Sequence, residues 1–406
     1  MLVPKLRFKR EDGTDYPEWR YARTDEIAEI NPKTSDLPNR FYYMDLGSVS
    51  KGAWQEKTIT DKDNAPSRAN RLASVGDVFF QSVRPYNMGH FFFEEEYEYP
   101  VVASTGFIQL RATQEYYNGF IYQLLYEDRF NAEVNIRCTG SNYPAINSES
   151  FSDIEMLFPC LEEQQKIADF LSAVDEVIAQ SEAEAQNLEQ QKKAAMQKIF
   201  SQEVRFKRQD GTDYPEWEEK KLSDLLLISK ERNSKTDYTQ NDVLACSLGT
   251  ELDKKYLYFG LKATKESVKN YRIVRIGDIV YTKSPIKGFP NGIIRANKKT
   301  EGIVPSLYCV YHNESGIMSD IIQAYFDTGN NVNNYLYKLV NVGARNNVNI
   351  TDIGLLEGTI IVPVDLEEQQ KIAVFLSAYD EAISYAKQEL DKWKELKKGL
   401  LQQMFV

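Results

Sequence analysis

Histidine and cysteine are scarce in this chain. Its 406 residues hold two histidines, His90 and His312, each isolated, and four cysteines, Cys138, Cys160, Cys246 and Cys309, none in a Cys-x-x-Cys pair. That usage argues against a zinc site and against a disulfide framework. No apolar run reaches the roughly 18 residues a transmembrane helix needs. The N-terminus, MLVPKLRFKR, lacks the apolar stretch of a secretory signal, so the chain is read as cytoplasmic, with no membrane partner. Also absent are a GxxxxGK[ST] phosphate loop, a GxGxxG turn, an HExxH pair, a GxSxG elbow and the Asn/Asp-Pro-Pro-aromatic motif of adenine methyltransferases. The chain is therefore expected to catalyse nothing alone and to hold no catalytic residue, metal or cofactor of its own.

Positive charge is also in deficit, with a formal net charge of −11. The average hides a split. Residues 20–158 carry 13 Lys and Arg against 20 Asp and Glu, whereas residues 219–360 carry 19 against 15. Net charge governs solubility and steering rather than what one face can bind, so it leaves nucleic acid open.

What the chain has is repetition. RFKREDGTDYPEW at 7–19 returns as RFKRQDGTDYPEW at 205–217, and LEEQQKIADFLSAVDEVI at 161–178 returns as LEEQQKIAVFLSAYDEAI at 366–383. The offsets, 198 and 205 residues, are nearly equal, which makes the chain a tandem duplication with a period too long for a solenoid. Segments 20–158 and 219–360, between the repeated blocks, show no comparable identity. A constant frame carries two variable modules.

The frame predicts two long helices. From Leu161 to Phe200 there is no Gly or Pro, Ala, Glu, Gln and Lys dominate, and Glu162 and Glu163 sit where a helix dipole favours acid. The second stretch runs from Pro363 to about Met404, interrupted only by Gly399. Some 40 residues make a rod of about 60 Å, which needs a partner. Ile372, Leu376, Ile383, Leu390 and Trp393 mark a heptad-like seam on the second rod. Ile167, Leu171, Ile178 and Leu188 mark a weaker one on the first. Either each rod packs on its own module or, as preferred here, the rods pair antiparallel. The DGTDYPEW blocks read as turns, Asp12-Gly13 and Asp210-Gly211, followed by anchoring tryptophans Trp19 and Trp217. The fold class expected is α+β: two mixed α/β modules separated by two long antiparallel helices forming a coiled coil, with internal pseudo-two-fold symmetry. The boundaries expected are 1–158 for the first module, 159–204 for the central helix and spacer, 205–362 for the second module and 363–406 for the C-terminal helix.

Within the modules, Gly76-Asp77 and Gly277-Asp278 each open a strand that runs into a polar, Pro-broken loop. In the first loop stand Arg84, Tyr86 and Asn87, and in the second Lys283, Ser284 and Lys287. A second pair of loops precedes the long helices, with Arg137, Ser141, Asn142 and Tyr143 in the first module and Arg345, Asn346 and Asn347 in the second. Equivalent position with different chemistry suits loops that read different targets. Arg spans guanine O6 and N7, Asn spans adenine N6 and N7, and Lys or Ser takes guanine or phosphate. Arg68, Arg71, Lys254, Lys255, Lys298 and Lys299 are candidate phosphate contacts.

Taken together, PCLEEQQKIADFLSAVDEVI, PVDLEEQQKIAVFLSAYDEAI, the Gly-Asp strands and the Asn-containing loops resemble the specificity subunit of type I restriction–modification systems. The resemblance covers the full length, as module, helix, module, helix. It implies a non-catalytic, DNA-binding subunit whose two target recognition domains each read one half of a bipartite site in double-stranded DNA. The paired helices would act as a ruler, with half-sites about one DNA turn, roughly 34 Å, apart. It also implies two methyltransferase subunits docked on the helices, supplying S-adenosylmethionine chemistry to a flipped adenine in each half, and two motor–nuclease subunits completing the restriction enzyme. The acidic first module departs from a simple basic reader, so weak DNA binding by the chain alone is expected. Two rival readings are a bivalent protein-interaction scaffold unconnected with DNA and a nuclease built on carboxylates such as Glu218 and Glu219.

Overall fold

The computed structural model describes residues 4–50, 52–246, 252–254, 267–283, 288–313, 315–339, 341–342 and 348–405. The chain divides into two compact units, one of residues 1–183 with 387–406 and the other of residues 184–386.

In the first unit, two four-stranded sheets share the sequence 28–112. One has the order Thr58–Asp61, Arg40–Met44, Val101–Ser104, Ala69–Leu72. Val101–Ser104 runs parallel to Arg40–Met44, and the other pairings are antiparallel. The second sheet is antiparallel throughout, in the order Ala28–Ile30, Phe107–Ala112, Val78–Gln81, Phe91–Phe92. Val78 to Gln81 are all buried, so this strand reads as a continuous apolar run rather than an alternation. Helices Asn118–Leu124, Asp128–Arg137 and Ser148–Ser152 place Phe120, Phe130 and Phe151 in one core with Phe80.

The second unit repeats the antiparallel sheet and the helices after it where no sequence identity hints at it. Its antiparallel sheet runs Leu227–Ile228, Tyr308–His312, Ile279–Thr282, Ile294–Ala296, and helices Gly316–Asp327 and Asn331–Leu339 follow the sheet in sequence. Each module is closed by a short antiparallel pair joining its two ends: Arg20–Arg23 with Glu155–Phe158, and Glu218–Lys221 with Thr359–Val362. Element order and burial, not residue identity, carry this likeness.

The long helices span Leu161–Phe200 and Leu366–Met404, and Gly399 does not interrupt the second. The Asp365 carboxylate caps the second by accepting from the backbone N of Glu367 at 2.9 Å. In the first unit the two helices run antiparallel, with Asp175 bonded to Lys397 at 2.6 Å and Glu182 facing Lys394 at 3.8 Å. In the second unit Lys192 meets Asp380 at 2.5 Å.

The seam residues divide between two tasks. Ile167 and Leu171 lie in the module core together with Leu400, Leu401 and Met404, and Ile178 and Trp393 pack at its margin. Ile372 and Leu376 do the same in the second unit, with Met196 and Ile199. Leu390 is buried, while Leu188 and Ile383 are half-buried. Within each unit the start of one long helix thus packs on the module and on the end of the other helix.

The acidic pair at each helix start does more than favour a dipole. Glu163 is fully buried, and its carboxylate accepts from Arg7 Nε at 2.8 Å and Nη2 at 2.9 Å. Glu368 accepts from Arg205 in the same way, at 3.2 and 3.1 Å. The two repeated blocks of each half are therefore clipped together by a bidentate ion pair, a geometry that guanidinium and carboxylate share. Trp19 packs edge-on against Phe120 and Phe405, and Trp217 against Phe200, as anchors do.

Candidate nucleic-acid interface

One edge of the first unit gathers loops that are far apart in sequence. Ser82 N donates to Gly106 O at 3.0 Å, and Thr105 N in the same turn donates to Arg68 O at 2.8 Å. On the other side Ile146 N donates to Ser82 O at 3.1 Å, and Arg84 N donates to Pro144 O at 2.7 Å. Segments 68–71, 82–89 and 139–146 thus form one continuous backbone-bonded rim. Arg84 takes up left-handed backbone, φ 51°, and its guanidinium carbon lies 4.2 Å from the centroid of the Tyr143 ring. Tyr86 and Tyr143 are both more than half exposed, at 57% and 67%, and Asn87, Ser141 and Asn142 are exposed beside them. Gly140 supports the turn with φ 94°, and a Cβ there would stand 2.9 Å from Tyr143 O.

The arginines differ in how they are used. Among the described residues Arg68 is exposed and Arg71 half-buried, and neither has an ion pair. Burial without a carboxylate pulls the Arg71 pKa below the ordinary arginine value. A half-buried guanidinium with no counter-charge is a ready anion contact. Arg137, by contrast, turns back on its own helix to the carboxylate and carbonyl of Glu133, one turn earlier. The i, i+4 spacing that makes the helix also captures this side chain, so it is the one candidate of the rim already committed elsewhere.

Sequence reasoning missed the residues that hold the rim. Gln81 is buried, and its side-chain amide donates to Val83 O at 2.7 Å and Arg84 O at 3.3 Å while accepting from Gly89 N at 2.9 Å. The Gln81 backbone N donates to His90 Nδ1 at 3.1 Å. Asp77 is buried below, accepting from Ser74 N, Gln109 Nε2, Arg111 Nε and Arg111 Nη2 at 2.7 to 2.8 Å. The Gly76-Asp77 signal was legible as a turn, but nothing local marked Gln81.

His90 is fully buried and stacked on Phe80, ring centroids 4.6 Å apart. Burial holds its pKa down at about 3, so the imidazole is neutral with Nδ1 as acceptor. An unfolded histidine titrates near 6.5. The folded value lies below the unfolded one, so this contribution to stability is complete above about pH 6.5 and is lost as pH falls toward 3, with a limiting slope of about 1.4 kcal/mol per pH unit. In urea unfolding, the wild type is expected to lose more stability than H90N between about pH 6 and pH 4; parallel pH profiles would contradict a neutral, buried His90.

In the second unit Lys283 is half-buried at the end of strand Ile279–Thr282. Ser284, Lys287, Arg345, Asn346 and Asn347 lie outside the described residues, as does Lys255. Lys298 pairs with Asp320 at 3.0 Å and Lys254 with Asp242 at 3.5 Å. Asp278 occupies the place of Asp77, accepting from Arg275 N at 2.8 Å and standing 2.9 Å from His312 Nδ1. The two modules therefore repeat the buried Asp turn with different partners.

Residues 7–190 match the family model described as the type I restriction modification DNA specificity domain. The chain matches that model over 184 of its 406 residues, a little under half. It is 24% identical over 220 residues to the HindI specificity subunit of Haemophilus influenzae, covering 52% of this chain and 48% of that one. It is equally 24% identical over 240 residues to the MjaIX specificity subunit of Methanocaldococcus jannaschii, covering 57% of this chain and 50% of that one. The chain thus spans about half the length of these curated relatives. Among solved structures, the S subunit of a type I system from M. genitalium superposes with a TM-score of 0.57 at 11% identity, covering 100% of this chain and 99% of that one. A chain from a structure of a type I R-M system, described in terms of its assembly and conformational transition, gives 0.53 at 18% identity, covering 96% and 98%. At these identities the superpositions show a shared fold. Among the described residues, no helix is long and apolar enough to cross a membrane.

Proposed function

We propose that this chain is the DNA-reading component of a type I restriction–modification assembly, each module reading one half of a bipartite sequence. The observation that carries this reading is the rim of the first unit. Three separate segments bring Arg68, Arg71, Arg84, Tyr86, Asn87 and Tyr143 together, with guanidinium groups that no carboxylate among the described residues neutralises. Such a rim supplies phosphate contacts to position a duplex and side-chain forks to read base edges. In the second module the reading rests on Lys283 and, outside the described residues, on the sequence positions Ser284, Lys287 and Arg345 to Asn347.

The long helices complete the proposal. Paired antiparallel as a coiled coil, with pseudo-two-fold symmetry between the duplicated halves, they set the spacing of the half-sites and dock two methyltransferase subunits. Those partners supply S-adenosylmethionine and the reacting groups, and restriction subunits add cleavage. The chain itself recognises and does not catalyse. The domain limits proposed are 1–158 and 205–362 for the target recognition domains, with 159–204 and 363–406 as the helical frame. The scaffold reading is disfavoured by the uncompensated arginines at the rim. Deleting the chain from a host that retains its methyltransferase partner tests the proposal, through loss of one bipartite methylated motif.

A further inference from the structure

The geometry points to a single base identity: we propose that Arg84 reads a guanine in the half-site of the first module, with Tyr143 as its positioning residue. This rests on the DNA-reading function proposed above and deepens it.

Four features fix how Arg84 is presented. First, its backbone is held in a left-handed turn at φ 51°, between the bond to Pro144 O and the bond that the Gln81 amide makes to its carbonyl. Second, the loop closes back through Asn87 N to Arg84 O at 3.0 Å and Met88 N to Pro85 O at 2.9 Å, with Pro85 restricting the backbone between them. Third, the turn wraps so tightly on Gln81 that a Cβ on Gly89 would stand 2.2 Å from Gln81 Oε1. Fourth, the guanidinium lies over the Tyr143 ring, and its Nε is buried with no hydrogen bond among the described residues.

With Nε turned inward and one face covered by an aromatic ring, the two terminal nitrogens are the donors left for a partner. Two parallel N–H groups on a planar fork match the O6 and N7 acceptors of guanine in the major groove. Adenine offers a donor where guanine offers O6, and so repels the same fork. A phosphate also accepts two bonds, but it needs neither the left-handed turn nor the stacked ring. Rigid presentation is what a base reader requires, because discrimination depends on holding the fork in one register.

The test is sequencing of N6-methyladenine in a host carrying the full chain with its candidate methyltransferase partner, comparing wild type with R84A, Y143A and Y143F. In the wild type, the half-site assigned to the first module should contain a guanine whose replacement lowers methylation on the order of 10–100-fold. R84A should reduce that discrimination to about twofold or less, well under the span of one bidentate contact, at this one position, with the other half of the motif unchanged. Y143A should fall between wild type and R84A, while Y143F, which keeps the ring, should match wild type. Tyr143 is exposed, so its replacement leaves the core intact, and the unchanged second half-site reports a folded subunit in each variant. Methylation lowered equally at all sequences in R84A identifies a phosphate contact and overturns the proposal. A first half-site without guanine, or an R84A motif identical to wild type, overturns it as well while leaving the DNA-reading function standing. Methylation that never depended on the chain removes that function and this inference together.

Discussion

Replacing residues 219–360 with the equivalent segment of a relative should rewrite one half of the methylated sequence and leave the other half as it was. Three features of the structure make this exchange clean. The ends of the segment lie side by side, because Glu218–Lys221 pairs antiparallel with Thr359–Val362, and backbone pairing of this kind tolerates a change of side chains. Two contacts that tie the module to the helices lie outside the exchanged segment, the Arg205–Glu368 ion pair and Trp217 against Phe200, although Tyr325 inside it also packs on Phe200. The first unit, which holds the rim with Arg84 and Tyr143, contains no residue of the exchanged segment. The readout is the methylated motif in a host with the matching methyltransferase. The expected change is complete for one half-site and absent for the other. Loss of both halves by a chain that still folds would contradict modular reading.

Asp77→Ala is expected to be the most damaging single substitution in the first module. Asp77 is buried and receives four hydrogen bonds, two of them from Arg111. Removing one partner of a buried ion pair costs about 3–5 kcal/mol. Arg111 is more than a third exposed and can turn to solvent, which lowers the expectation to about 2–3 kcal/mol. Asp77→Asn keeps an acceptor for the turn and should cost about half as much, in the range of a charged hydrogen bond lost. Urea unfolding followed by tryptophan fluorescence, with Trp19, Trp54 and Trp393 in this unit, measures both. A loss below about 1 kcal/mol for Asp77→Ala would show that the Gly-Asp turn holds without its carboxylate. Because Asp77 opens the strand that ends at Gln81, the same substitution should also disturb the recognition rim.

How much of this was legible in the sequence follows from the range of each interaction. Helix length is a local property, and the composition of 161–200 and 366–404 placed both rods to within a few residues. The turns at Gly76-Asp77 and Gly277-Asp278 were legible because glycine at positive φ, 95° and 90° here, leaves a mark on a short segment. The loops holding Arg84 and Tyr143 were both singled out, but their meeting was not, since 59 residues separate them in the chain. Arg7 and Glu163 were read as parts of separate repeated blocks; only the folded chain brings them together across 156 positions. Gln81 carried no signal, because a glutamine ending an apolar strand looks like any solvent-facing residue until the loop wraps it. The likeness of segments 20–158 and 219–360 escaped residue comparison for a related reason. Their common order of strands and helices depends on where side chains are buried, and many apolar residues satisfy that equally.

Methylome sequencing of a host carrying this chain with its candidate methyltransferase partner, against deletion of this chain alone, tests the central claim most directly. The expected result is a bipartite motif with a fixed gap, N6-methylated on an adenine in each half, present with the chain and lost without it. An unchanged methylome, with both proteins expressed, would contradict a role in reading DNA.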